Sequence, residues 1–232
     1  MVDSISRVVQ DLISRDLSLQ DALQRGYANY SAVARMLQSR VEGILGRRVK
    51  LEGLITSVKR AKTAYQPLRG DITRVVAGST LNLRTDVAKV SVEKTNRTLE
   101  VIRRTLGKFL GEFLHVLVGI SAVTLIFDQR RFEDVCSMFP AEEVLDKRQD
   151  LAALVVQSPR EIVDTAGCIT TFYNQVSRRH INIEETVSCF TDTIIVLSME
   201  DVDKAFTALT DLISEARKAA AKKIIFPHIT PI

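Results

Sequence analysis

VTLIFDQRRFEDVCSMF, Val123–Phe139, and TIIVLSMEDVDKAFTAL, Thr193–Leu209, begin 70 residues apart and read as one pattern. Each is an apolar strand-like run, a polar turn and then an amphipathic helix. The same offset extends upstream without a gap to Phe113 opposite Ile183. Further back, VAKVSVE from Val87 faces LAALVVQ from Leu151, an offset of 64 or 65. Each copy thus reads β-α-β-β-α. A closing strand is available at Glu143–Lys147 in the first and Lys222–Phe226 in the second. Two copies of βαββαβ predict two small antiparallel sheets, each covered by two helices on one face.

The change of offset locates an insertion. The second copy has five or six extra residues between its first strand and first helix, in SPREIVDTAG, Ser158–Gly167. Loops at strand-to-helix junctions offer backbone N–H groups to a ligand, and the helix dipole adds to that attraction. One such loop has been lengthened and its twin has not.

Upstream of Asp86 the pattern is helical. Ser4 suits the N-cap of a helix with Ile5, Val8, Val9, Leu12 and Ile13 on one face. Ser18 can cap a second, short helix with Leu19, Ala22 and Leu23, closed by Gly26. Tyr30–Leu45 forms a third, ended by Gly46. Leu51 to Tyr65 forms a fourth, with Leu51, Leu54, Ile55 and Val58 on one side, and Pro67 and Gly70 close the region. In ITRVVAGSTLNLR, two extended runs, Ile72–Val76 and Ser79–Leu83, flank Ala77-Gly78. They read either as the hairpin of a winged helix or as a β linker. The expected fold class is α+β: a helical, winged-helix-like head over residues 1–85, then units over 86–149 and 150–232.

The second copy carries a resemblance. Its loop ending in Gly167, the helix Cys168–Arg179, Ile181-Asn182-Ile183, and the strand Thr193–Leu197 leading to an Asp-started helix resemble an ACT domain, especially those of aspartokinase regulatory tails. The first copy, Val87 to about Arg148, keeps the element order. The resemblance implies two ferredoxin-like βαββαβ ACT units and an amino-acid effector bound at an interface between modules. Carried over, the ligand-binding residues are Ile162, Val163, Asp164, Thr165, Ala166, Gly167 and Cys168, with Asn182 and Ile183 at the start of the second strand. Asp164 would pair with a ligand ammonium group, free loop N–H groups with its carboxylate, and Gly167 would allow close backbone approach. The family often has Pro before that glycine, whereas here it is Ala166. The first copy has Glu93-Lys94-Thr95-Asn96 and no loop glycine, so it is expected to be a structural partner. The competing reading is an ordinary connection in which Gly167 only completes a turn.

Tyr30-Ser31-Ala32-Val33-Ala34-Arg35, followed by a basic helix, is similar to helix-turn-helix modules of prokaryotic regulators. That likeness implies duplex DNA as a partner, with Lys59, Arg60 and Lys62 on the recognition helix and Arg47, Arg48 and Lys50 on phosphates. Charge distribution points the same way. Residues 1–70 hold twelve Lys/Arg against six Asp/Glu, and the rest of the chain twenty against twenty-two. A basic helix end is equally read as a dipole pairing on a solvated face.

Other classes fail on inventory. Gly107-Lys108 is followed by Phe109, not by a P-loop hydroxyl residue. His115, His180 and His228 fall in different elements without metal-ligand spacing, so no metal and no cofactor are expected. No nucleophile stands beside a base, and the stretch before Asp86 is too short for a kinase domain, so no catalytic residues are assigned. Cys136, Cys168 and Cys189 are odd in number and far apart, as in a reducing compartment. The longest apolar run, Phe113–Phe127, is shorter than the roughly 20 residues of a spanning helix. The expectation is a cytoplasmic, homodimeric, amino-acid-sensing regulator, not an enzyme. Its output is either transcriptional or a regulatory contact with an enzyme of amino-acid metabolism.

Overall fold

The computed structural model describes residues 4–64, 71–109 and 111–225. The chain divides into two compact units, residues 1–68 and 69–232.

The first unit is four helices: α1 Ile5–Ser14, α2 Leu17–Gln24, α3 Tyr30–Leu45 and α4 Leu51–Ala64. Ser4 caps α1, accepting from the Arg7 amide, and Gly46 ends α3 at φ 65°. The cap of α2 is Asp16 rather than Ser18: its Oδ1 accepts from the Leu19 amide at 3.0 Å, starting the helix one residue before Ser18. Val9, Leu37, Val41, Leu54 and Val58 form the centre of the bundle, the helical spacing having put them on facing stripes. The loop between α3 and α4 is clipped by Glu42, which accepts from the Val49 amide, and by Gln38, which donates to the Val49 carbonyl.

The second unit opens with α5, Ile72–Ala77. The wing is therefore not formed: the first of its two runs is helical. Asp71 caps it, accepting from the Arg74 amide at 3.2 Å, and Ile72, Val75 and Val76 share the i, i+3, i+4 stripe of a helix. The second run enters a long strand, β1 Thr80–Glu93. Then follow α6 Asn96–Lys108, β2 Leu114–Val118, β3 Ala122–Asp128, a 3-10 turn at Gln129–Arg131, α7 Phe132–Cys136, and β4 Val144–Gln157. After a further 3-10 turn at Arg160–Asp164 come α8 Cys168–Ser177, β5 Glu185–Cys189, β6 Asp192–Ser198, a turn at Met199–Asp201, and α9 Val202–Ile225. β3 and β6 occupy equivalent residues at the offset of 70 read from the sequence.

The strands form one antiparallel sheet in the order β2-β3-β1-β4-β6-β5, not two separate sheets. β1 and β4 each serve both halves. Val87–Glu93 pairs with β3, while Val144–Arg148 closes that half on the other side of β1. Leu151–Gln157 pairs with β6, and Thr80–Arg84 lies on its other side. Between the two parts of each strand sits an aspartate in the left-handed region, Asp86 at φ 54° and Asp150 at φ 56°. The side chain and amide of Asp150 are both held by Gln129.

The closing strand expected at Lys222–Phe226 is also corrected: Lys222–Ile225 belongs to α9, and Phe226 lies outside the described residues. The stretch ARKAAAKK, Ala216–Lys223, is rich in strong helix formers, and Thr80–Arg84 takes the strand's place in the sheet.

Strand alternation sends residues to two faces. Leu154, Val156, Ile195 and Leu197 meet α5, α8 and α9 around Phe172, while Val90, Val92, Leu125 and Phe127 meet α6 and α7. The opposite parity gathers Val87 and Ile126 with Leu151, Ala153, Ile194 and Val196 in a third cluster. Lys89, buried beside it, reaches from β1 to Glu184 and Glu185 at the head of β5. Arg217 of α9 donates to the carbonyls of Ala77 and Ser79, fixing the α5–β1 junction. Among the described residues no helix is long and apolar enough to cross a membrane.

Candidate functional site

The two strand-to-helix junctions are built differently. In the first half, Thr95 caps α6 in a capping box: its Oγ1 accepts from the Thr98 amide at 3.1 Å, and Thr98 Oγ1 accepts from the Thr95 amide at 2.9 Å. Thr98 Oγ1 also donates to the Glu93 carbonyl. The Thr98 amide of the first turn and the Thr95 amide before it are thereby engaged within the chain.

In the second half the chain leaves β4, passes Ser158-Pro159, makes the turn Arg160–Asp164 and enters α8 through Gly167. Gly167 has φ 92°, a left-handed conformation that a side chain would strain. No side chain caps α8. Its first N–H groups are therefore open to an anion, aligned with the positive end of the helix dipole. Ile162 and Cys168 are buried and anchor the loop on the α8–α9 core, and burial pushes the Cys168 thiol up. Val163, Asp164 and Ala166 are exposed. Ile162, Val163, Asp164, Thr165, Ala166, Gly167 and Cys168 run along an open concavity of about 330 Å³, joined there by Ile169 and Thr170. Thr165 turns its hydroxyl inward to the Glu161 carbonyl. The Asp164 carboxylate makes no hydrogen bond or ion pair among the described residues.

Asn182 and Ile183 do not line that concavity. β5 starts at Glu185, later than the sequence pattern indicated; Asn182 donates to Glu184, and Ile183 packs on the core of that half. The loop and the strand start thus stay separate within one chain.

In the helical unit, Arg47, Arg48 and Lys50 lie in the loop before α4, and Lys59, Arg60 and Lys62 in its last turns. Lys59 lies nine positions beyond Lys50, about 13 Å of helical rise, so the six do not form one cluster. The ammonium groups of Lys59 and Lys62 lie 5.9 and 6.0 Å from the Tyr30 ring centroid.

A basic cluster escapes the sequence reading: Arg84, Arg130 and Arg131 around Asp128. The signal is present in the repeat, where Arg130-Arg131 stands opposite Glu200-Asp201.

No family model and no curated protein matches the sequence. Solved structures do. The aspartate kinase of Synechocystis matches at 12% identity with a TM-score of 0.51, over 60% of this chain and 27% of that one. The Clostridium acetobutylicum aspartate kinase matches at 14% identity and a TM-score of 0.49, over 58% of this chain. The chain spans only 34% of that enzyme's length. The ligand-free regulatory subunit of aspartate kinase from Thermus thermophilus matches at 13% identity and a TM-score of 0.48, over 57% of this chain and 95% of that one. The likeness is one of fold: a mixed α/β unit with an antiparallel sheet.

Proposed function

We propose that the chain is a non-enzymatic, amino-acid-sensing regulatory protein, with its sheet unit made of two ACT units and its effector held by the loop Ile162–Cys168. The observation that carries this reading is the contrast between the two helix starts: Thr95 closes α6, and nothing caps α8, which opens on a concavity beside the unpaired Asp164. A free amino acid fits both ends, its carboxylate on the first-turn N–H groups of α8 and its ammonium on Asp164. Hydrogen bonds to charged groups contribute about 1.5–3 kcal/mol each net of lost water contacts, so two of them reach about 3–6 kcal/mol, an affinity on the order of millimolar. Asn182 and Ile183 join the site from a second copy in a homodimer, which the open edges of β2 and β5 favour. The three cysteines are free, in keeping with a cytoplasmic setting.

Thermal melting with each common amino acid in turn tests the reading. A ligand at a hundred times its Kd stabilises by about 2.7 kcal/mol. Asp164→Asn should abolish the response. Failure of every amino acid to stabilise at tens of millimolar, well above the expected Kd, overturns it.

The output is read in two ways. Duplex DNA is favoured by the exposed Arg47, Arg48, Lys50, Lys59 and Arg60 of the helical unit; an enzyme partner is favoured by the likeness to aspartate kinases, where such a fold is part of the enzyme. Binding to duplex DNA as salt is varied separates them. A steep salt dependence lost on Lys59→Ala and Arg60→Ala selects DNA, and no binding at low salt selects the protein partner.

A further inference from the structure

A second cleft lies at the bend of β1, on the half whose helix start is closed. Arg84, Glu112, Phe113, Asp128, Arg130 and Arg131 border a concavity of about 460 Å³. Asp128, at the end of β3, is buried to 7% exposure. Its Oδ1 accepts from the amide and Nε of Arg130 at 3.1 and 2.9 Å, and its Oδ2 from Arg130 Nη2 at 2.7 Å and Arg84 Nη2 at 2.8 Å. Two guanidinium groups thus share one carboxylate, which Arg130 above all holds far below the usual carboxylate range. Arg131 gives Nε and Nη2 to Glu112, at 3.1 and 2.9 Å, with Asp134 3.9 Å from its Nη1. The Arg84 guanidinium stacks 4.5 Å from the centroid of Phe113, which fixes its plane.

These contacts fix the three cations and leave donors over. Among the described residues, Arg84 Nη1 and Arg130 Nη1 have no hydrogen-bond partner, and Arg84 Nε is buried without one. The lining carries three cations against two carboxylates. The fold itself does not demand the cluster. The same turn in the second half, Met199–Asp201, is capped by Ser198 and carries Glu200 and Asp201 where the first carries Arg130 and Arg131. With their forks already held by carboxylates, the guanidinium groups keep fixed positions, and the donors left over on Arg84 and Arg130 can each take one oxygen of a carboxylate or phosphate group.

We infer that this cleft binds an oxyanion, the phosphate or carboxylate group of a small ligand, between Arg84, Arg130 and Arg131. The site is separate from the α8 loop and does not depend on what that loop binds.

The full chain is titrated calorimetrically with inorganic phosphate and, separately, with succinate, at ionic strength held constant with chloride. At least one of them binds at millimolar concentration; phosphate alone identifies a phosphate ester as the ligand class, and succinate alone a carboxylate. Arg130→Gln weakens binding about ten-fold or more, as does Arg84→Gln; since both side chains pair with the buried Asp128, the circular-dichroism spectrum and thermal melt of each variant are recorded beside the titration to establish that it is folded. Asp164→Asn leaves it unchanged. Binding of neither anion to the natural chain, or binding that survives both arginine substitutions, overturns the inference.

Discussion

Replacing Lys89 by methionine should destabilise the larger unit by about 3 kcal/mol, more than most surface charges contribute in total. The Lys89 side chain is 8% exposed, and its Nζ lies 3.1 Å from Glu184, 3.5 Å from Asp146 and 3.6 Å from Glu185. It also donates to the Glu184 carbonyl at 3.3 Å. At an effective dielectric of about 20, a pair at 3.1 Å attracts by roughly 5 kcal/mol, and desolvating each ion costs several kcal/mol in return. The assembled cluster is therefore close to break-even against an apolar filling. Removing the ammonium alone is different, because Glu184, itself 13% exposed, is then left beside Glu185 with its cation gone. Breaking a buried pair costs about 3–5 kcal/mol. The exposed Asp146, and Arg148 at 3.9 Å from Glu184, soften the loss toward the lower end.

Urea unfolding followed by far-ultraviolet circular dichroism measures this, the chain having no tryptophan to report by fluorescence. The transition of residues 69–232 should move to lower urea with its slope unchanged. A second variant makes the test sharper. Adding Glu184→Gln and Glu185→Gln to Lys89→Met should recover more than half of the loss, since it removes the stranded charges. A loss under about 1 kcal/mol, or no recovery in the triple variant, would refute the reasoning.

Thr95→Ala removes the α6 cap and should cost about 1 kcal/mol in the same assay; an unchanged midpoint would mean the capping box contributes nothing. Gly78→Ala puts a Cβ 2.6 Å from Pro159 Cγ, at a φ of −79° that any residue tolerates. The steric clash should cost about 1–3 kcal/mol, and Pro159→Ala should rescue it. The His115 imidazole should titrate below 6.5 by nuclear magnetic resonance, because burial disfavours its charged form and Asp192 only partly offsets this. The unfolded chain then holds more protons on His115 than the folded one, so its contribution to stability is complete above pH 6.5 and falls as pH drops toward the folded value. A titration above 6.5 would contradict the burial.

The parts of the fold legible in the sequence were those fixed by local periodicity. The offset of 70 residues placed β3 against β6, and the helical stripes placed Val9, Leu37 and Leu54 in the bundle core. What failed was decided by distant partners or by a weak local choice. Six residues, Ile72–Ala77, satisfy a strand and a helix alike; Asp71 and the α9 surface select the helix. The closing strand of the second half could not be found after β6, because Thr80–Arg84, upstream of everything it pairs with, supplies it. No rule about neighbouring residues reveals such an exchange. The bends at Asp86 and Asp150 were hidden for the same reason: aspartate tolerates a left-handed φ but does not announce one. At the candidate loop, Gly167 and its neighbours share one concavity because they follow one another along the chain, while the separation of Asn182 and Ile183 depended on where β5 begins.

The position of that loop gives the proposed sensor a route to the rest of the chain. The loop begins at Ser158, whose hydroxyl lies 3.0 Å from that of Ser79, and continues with Pro159, which packs against Gly78. Gly78 and Ser79 are the junction between α5 and β1, and Arg217 ties the same junction to α9. α5 is the first described element after the helical unit along the chain. A ligand that reshaped the α8 entrance would bear, through Ser158 and Pro159, on the segment that follows the helical unit in sequence. Coupling of this kind is a difference in affinity between two arrangements, not a matter of proximity alone. If it operates, Gly78→Ala, which strains the junction without touching the concavity, changes amino-acid affinity and output together. If it does not, the substitution lowers stability and leaves both untouched.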